Sequence, residues 1–154
     1  MTVYSIKGLV TVYSTVRENV YSTGLVTVYS TELVTVYFTI EIVTVYSTSG
    51  LVTVYSTGLG TVYSTELVTV YSTGLVTVLS ATGPVAFYST SGLVTVYSPG
   101  LVTVYSTTGL VTVYSTVLVT GYCTIGLVTV YSTGLVTVFS TDLVNVYSPR
   151  LVTV

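Results

Sequence analysis

The sequence predicts an all-β protein: a short-period array of eight- to nine-residue repeats, arranged as a β-solenoid of short parallel strands, with an antiparallel β-meander as the alternative. Three observations predict it. The phrase Leu-Val-Thr-Val-Tyr-Ser-Thr-Gly recurs about eighteen times along the 154 residues. Its constant part, Leu-Val-Thr-Val-Tyr, is β-branched and aromatic and alternates side to side, as a strand does. Successive Tyr positions are eight or nine residues apart, and the extra residue falls between a Tyr and the next Leu, as in Ser47-Thr48-Ser49-Gly50 and Ser106-Thr107-Thr108-Gly109. That spacing places the loops at Ser, Thr and Gly. A helix is the poorer reading, because Val and Thr lose rotamer freedom there and Gly recurs every second turn.

Within each strand, alternation puts Leu, Thr and Tyr on one face and the two Val on the other. Neither face is properly polar, so a single flat sheet would leave both in water, and the array must coil or stack. A meander needs a reversal at every loop. Thr31-Glu32, Thr65-Glu66, Thr116-Val117 and Thr141-Asp142 carry no Gly, and Val resists the positive φ that a tight hairpin asks for. A closed barrel of so many strands would leave a lumen that Val cannot fill. A solenoid asks each loop only for a corner. The sequence reading takes three strands per coil, about 24 to 27 residues, with Val stacked on Val inside and Tyr on Tyr outside. The same segments, uncharged and free of Pro, also fit a steric zipper between chains.

Some units are damaged. Arg17-Glu18-Asn19 replaces the start of one strand, Gly60 and Gly121 replace strand Val, and Pro84 opens another strand. No polar capping segment is visible at either end of the array, so self-association through strand edges is expected.

No shift in composition divides the chain, so residues 1–154 form a single tandem-repeat β array. Charged residues are 5% of the chain, three basic and five acidic, with a net charge of −2. An ordinary soluble domain has roughly 25% charged residues. Without a basic stripe, no nucleic-acid partner is expected. No charge occurs from Leu67 to Thr141. Thr, Ser and Gly nevertheless interrupt the apolar residues too often for a spanning helix, and the strands are too short for a membrane barrel, so no specific membrane insertion is expected. The amino-terminal residues show no export signal.

The search for chemistry yields no catalytic, cofactor-binding or metal-binding residues, and no small-molecule ligand is expected. There is no His, which removes the commonest general base and metal ligand. Lys7 lies near Ser5, but the reading is a solvated loop lysine. Glu32 and Glu66 occupy the same repeat slot. In a three-strand coil they sit on different corners, too far apart to act as a glycosidase pair. Glu41 and Asp142 read as solvated loop acids, and Cys123 as a neutral exchange in a slot that elsewhere holds Ser. The regular Tyr reads as a structural ladder, since base-stacking platforms pair aromatics with a positive groove. Thr between Leu and Tyr does not make the flat Thr rows of an ice-binding face. Asn19 and Asn145 are each followed by Val-Tyr, so neither is a glycosylation acceptor.

Two functional expectations follow. The first is the translation of tandemly repeated DNA, a product with no specific biochemical function. Its motive is that the deviations from the repeat are each one base change away and show no regard for packing. The second is a structural or surface rod-forming repeat protein, prone to self-assembly. An enzyme is not expected.

Overall fold

The computed structural model describes residues 2–5, 8–39, 42–80 and 82–154. Seventeen strands and no helix occupy the described residues. In chain order they begin β1 (Thr2–Ser5), β2 (Leu9–Ser14), β3 (Glu18–Ser22), β4 (Leu25–Ser30), β5 (Val34–Phe38) and β6 (Ile42–Ser47). They continue with β7 (Val52–Ser56), β8 (Leu59–Ser64), β9 (Val68–Ser72), β10 (Leu75–Ser80), β11 (Val85–Ser89) and β12 (Leu93–Ser98). Two long strands follow, β13 (Leu101–Ser115) and β14 (Leu118–Ser132), and then β15 (Leu135–Ser140), β16 (Val144–Tyr147) and β17 (Val152–Thr153).

All the pairings are parallel, and the short strands pair with the second one along, β3 with β5 and β4 with β6, while the long strands β13 and β14 each supply two rungs, so that β12 pairs with β13, β13 with β14 and β14 with β15. The fold is therefore the β-solenoid of short parallel strands that the repeat predicts, with about 9 turns and a period near 17 residues. The expected coil of three strands is corrected to two. Val20 lies on Val36 and Val36 on Val54, so two units, one in each sheet, bring the chain back to its starting slot. The physical reason is interior thickness. Val and Ser side chains fill the gap between two facing sheets, so two units already close a packed coil.

Sheet one is built from β1, β3, β5, β7, β9 and β11, then the first half of β13 and of β14, then β15 and β17. Sheet two runs through β2, β4, β6, β8, β10 and β12, the second halves of β13 and β14, and β16. The two long strands turn a corner without breaking the ladder, with Thr108 paired to Ile125 and Gly109 to Gly126.

In a typical unit such as Leu25–Ser30, both Val and the Ser are buried, Thr is half-buried, and Leu and Tyr are exposed. Ser thus joins the two Val on the inner face, where strict alternation carries it. There it works as a corner cap: the Oγ of Ser22, Ser72, Ser98 and Ser132 each accepts the backbone N–H two residues on, at 3.0 Å. A buried hydroxyl is satisfied, and a loop N–H that would be orphaned is paired.

The interior accommodates its exceptions unevenly. Phe38 stands in a Ser slot of sheet one and is buried, while Gly60, in sheet two and one coil further on, lacks the usual Val. A Cβ placed on Gly60 would lie 3.4 Å from Phe38 Cζ, so the ring occupies the space of the missing side chain. Gly121 has no such partner. A Cβ there would touch only Val138 methyls, at 3.6 and 3.7 Å, and a small cavity remains between Val104, Val113, Cys123 and Val130.

The Phe38 and Gly60 pair gives a double-mutant prediction. Phe38→Ser empties the site and should cost about 2–4 kcal/mol, and Gly60→Val alone should cost about 1–3 kcal/mol by overpacking against the ring. The double variant should be more stable than the sum of the two by more than 1 kcal/mol or so. Denaturant unfolding of the four proteins measures this, and strict additivity would contradict the packing described.

Candidate functional site

Three surface features repeat along the rod axis: two Tyr ladders, two columns of corners, and a groove beside each ladder. In sheet one the rings stack from Tyr4 through Tyr21, Tyr37 and onward to Phe139, with centroids 4.6–5.1 Å apart and planes within 14°. In sheet two Leu79 takes one Tyr position and separates the Tyr13–Tyr63 stack from the Tyr97–Tyr147 stack. The strand spacing alone sets this geometry, since equivalent side chains on parallel in-register strands sit one rung apart.

Each groove runs between a Tyr ladder and the first Thr of the neighbouring corners, with Ser backbone as its floor. The two have volumes near 1260 Å³ each, and neither is lined by a charged residue. The corner Thr hydroxyls are largely committed to the coil below: Thr116 Oγ1 donates to the Pro99 carbonyl at 2.8 Å, Thr133 Oγ1 to the Thr116 carbonyl at 3.2 Å, and Thr65 Oγ1 to the Thr48 carbonyl. The groove walls are thereby left with Thr methyls and Tyr ring edges.

The corners carry the acids. Glu32 and Glu66 lie on the same corner column, two coils apart, which corrects the expectation of different corners and follows from two strands per coil. Their backbones are about 9.6 Å apart at the usual rung spacing. Gly50 stands between them. Its N–H is donated to Glu66 Oε2 at 2.7 Å, which commits that carboxylate to the backbone. Asp142 does the same on the opposite corner, where its Oδ2 accepts the Gly126 N–H at 3.0 Å. Both glycines have positive φ, 92° and 139°, and both lie in nine-residue steps. The added residue turns the glycine N–H along the rod, and the acid one coil later receives it.

Cys123 is buried inside sheet one in register with Ser106. Burial pushes its thiol above the ordinary value, and the charge of Asp142 adds to the effect, so the reactive thiolate is disfavoured. Lys7 and Glu41 lie outside the described residues, as does the side chain of Ser5. Asn19 and Asn145 take Thr positions, in register with Thr35 and Thr129. The residue that sequence reasoning missed is Glu18. It occupies the first Val slot of β3, is 1% exposed, and its Oε2 has no hydrogen-bond partner. Alternation would have found it, because the residue before Asn19 must point inward if Val20 does. Among the described residues, no three His, Cys, Asp or Glu side chains gather where they could hold a metal ion.

Compared with known protein families, curated proteins and solved structures, the chain matches none.

The Tyr ladders have a consequence at high pH. The phenols of Tyr55 and Tyr114 are pushed above the ordinary value of 10.0, by burial first and then by the charge that Tyr neighbours such as Tyr37 and Tyr97 would carry. The folded chain therefore holds these protons more tightly than the unfolded chain. The linked stability is fully present below about pH 10 and is lost as pH rises through the raised values. The difference in alkaline titration between the chain and its Tyr55→Phe and Tyr114→Phe variants should show these two tyrosinates emerging later than in a denatured control. Ionisation at the denatured value with the fold intact would contradict the coupling.

Proposed function

We propose that the chain is a structural rod former, a self-associating β-repeat protein without a catalytic role. The observation that carries this reading is the stacking of like on like along the rod axis. Tyr37 lies between Tyr21 and Tyr55, with ring centroids 4.8 and 4.6 Å away, and its strand is paired on both backbone edges. A rung of this kind that is left uncovered offers an edge and a ring face to another chain. The long uncharged faces of Leu, Thr and Tyr support the same reading, since they offer nothing to repel a like surface and no set of unlike polar groups to hold a substrate.

Solution behaviour tests it. The purified 154-residue chain should give a β-type circular dichroism spectrum and rods of constant width whose length grows with protein concentration. A monomer whose size is independent of concentration would overturn the proposal.

A second reading, the translation of tandemly repeated DNA with no selected role, is favoured by one observation: the unfilled cavity at Gly121. The same chain fills the gap at Gly60 with Phe38, which favours the structural reading. Mass spectrometry of the source cells separates the two. Peptides at the abundance of ordinary proteins support a rod in use, and their absence supports the repeat-DNA reading.

A further inference from the structure

The Tyr ladders hold oxidisable side chains in a fixed relation to one another. Tyr88 and Tyr105 are in register on adjacent rungs of sheet one, with ring centroids 5.1 Å apart and planes within 1°. They remain 38% and 40% exposed. Each phenol is thus open to an oxidant in solution and in contact with a second phenol. We propose that the ladders are sites of dityrosine formation, in which a haem peroxidase supplied with hydrogen peroxide joins stacked Tyr side chains of one chain and so ties successive coils together. Disulfides cannot do this, since Cys123 is the single cysteine. The cross-link lies within a chain, so it stands whether or not copies of the chain associate.

The reaction draws only on groups that the ladder supplies and on the peroxide. Each of two neighbouring phenols gives up one electron to the oxidant and its hydroxyl proton to water, leaving a phenoxyl radical whose unpaired electron is shared with the ring carbons beside the oxygen. Two such carbons join, and the hydrogens they carried move to the oxygens, which restores two phenols linked by a carbon–carbon bond. In sum, two phenols and one hydrogen peroxide give one dityrosine and two waters. The difficult stage is the meeting of two short-lived radicals, and in the ladder that encounter is between fixed neighbours. Equivalent ring carbons lie about one rung, ~4.8 Å, apart. No further layer covers the rings, so they can tilt towards each other about the bond to the ring, a torsion with a broad minimum. A phenoxyl can also take a hydrogen atom, an electron with its proton, from the next phenol, so a radical passes along an unbroken stack. Leu79, which stands between Tyr63 and Tyr97 in sheet two, interrupts that passage. The expected links therefore join register neighbours of one ladder, and none joins the two sheets or crosses position 79.

Two variants separate register from distance along the chain. Every other Tyr is replaced by Phe, a residue the ladder already accepts at Phe139, whose ring centroid is 5.1 Å from that of Tyr122. One variant keeps Tyr88 and Tyr105, and the other keeps Tyr88 and Tyr97. The second pair is nearer in sequence, nine residues apart against seventeen, but its rings lie on the outer faces of opposite sheets, which themselves pack about 10 Å apart. After treatment with peroxidase and hydrogen peroxide, dityrosine fluorescence is measured in material that runs at the monomer mass on a denaturing gel. With the β-type circular dichroism of both variants intact, the first should yield about tenfold more than the second. Equal yields would overturn the proposal. The unmodified chain gives an answer that does not depend on how these variants fold, because Ala86-Phe87-Tyr88, Tyr97-Ser98-Pro99-Gly100 and Tyr105-Ser106-Thr107-Thr108 each occur once and their peptides are distinguishable by mass. Mass spectrometry after proteolysis should find Tyr88 joined to Tyr105 and not to Tyr97. In a Leu79→Tyr variant, links from position 79 to Tyr63 and Tyr97 should appear as well. Links of Tyr88 to Tyr97 in place of Tyr105, or no dityrosine at monomer mass, would overturn the inference and leave the rod reading standing.

Discussion

The structure depends on like stacking on like in parallel register. With few exceptions, such as Gly60, Gly121 and Leu79, an inward Val meets the Val of the same slot above and below and a Tyr meets Tyr, and the backbone ladder runs through both sheets. A parallel sheet is normally buried on both sides. This one is buried on one side only, and its outer Leu, Thr and Tyr cover each other along the rod axis instead of being covered by helices. Register is therefore the constraint that every other feature must respect. A unit that gains a residue cannot pass it into a strand, because a one-residue slip would turn Val outward and Tyr inward. The surplus has to be absorbed at a corner.

The corners are of two kinds, which the length of the step between Tyr positions distinguishes. The glycines with positive φ, among them Gly50, Gly92, Gly109 and Gly126, all lie in nine-residue steps. The described corners with Val16, Glu32, Glu66, Val117 or Asp142 at the glycine position all lie in eight-residue steps. The eight-residue corners turn without the left-handed region, whereas the nine-residue corners at Gly8, Gly50, Gly92, Gly109 and Gly126, though not at Gly83, use the conformation that Gly alone adopts freely. Close stacking is a second demand, since a Cβ on Gly24, Gly74 or Gly100 would lie 2.5, 2.0 or 2.7 Å from a backbone oxygen of the coil before. Glu66 and Asp142 go further, each accepting the N–H of a left-handed glycine one coil back. At the described corners the replacements of Gly fall where the positive φ is not required, and two of them satisfy a donor.

How far the fold was legible follows from which contacts are local. Strand spans, the two faces, the loops and the parallel stacking are all properties of one unit or of its likeness to its neighbours, and the sequence carries them openly. The number of strands per coil is different. A chain of near-identical units reads the same whether two or three of them close a coil, and the choice rests on how much space Val and Ser fill between facing sheets, which is a volume rather than a pattern. Once that choice was wrong, the relations that depend on it were wrong as well: Glu32 and Glu66 went to different corners, and Phe38 and Gly60, twenty-two residues apart on opposite sheets, had no reason to be neighbours. The inward Ser and the buried Glu18 were legible by simple alternation, because each lies two residues from an inward Val.

The same geometry sets how deviations from the repeat should be judged. In a solenoid each rung touches little beyond the rungs next to it, so the effect of a changed side chain spreads over about one coil in each direction. A defect can then be mended only by a second change within that range. Gly60 is mended, by a ring from the facing sheet one coil away. Gly121 is not: the Ser slot of the same strand holds Cys123, a side chain that lines the cavity without filling it. Counting departures from the repeat therefore says little about whether the chain has been held to a working fold. What bears on that question is whether each departure finds its partner within one coil, and in this chain one buried Val-to-Gly exchange has done so while the other has left a void.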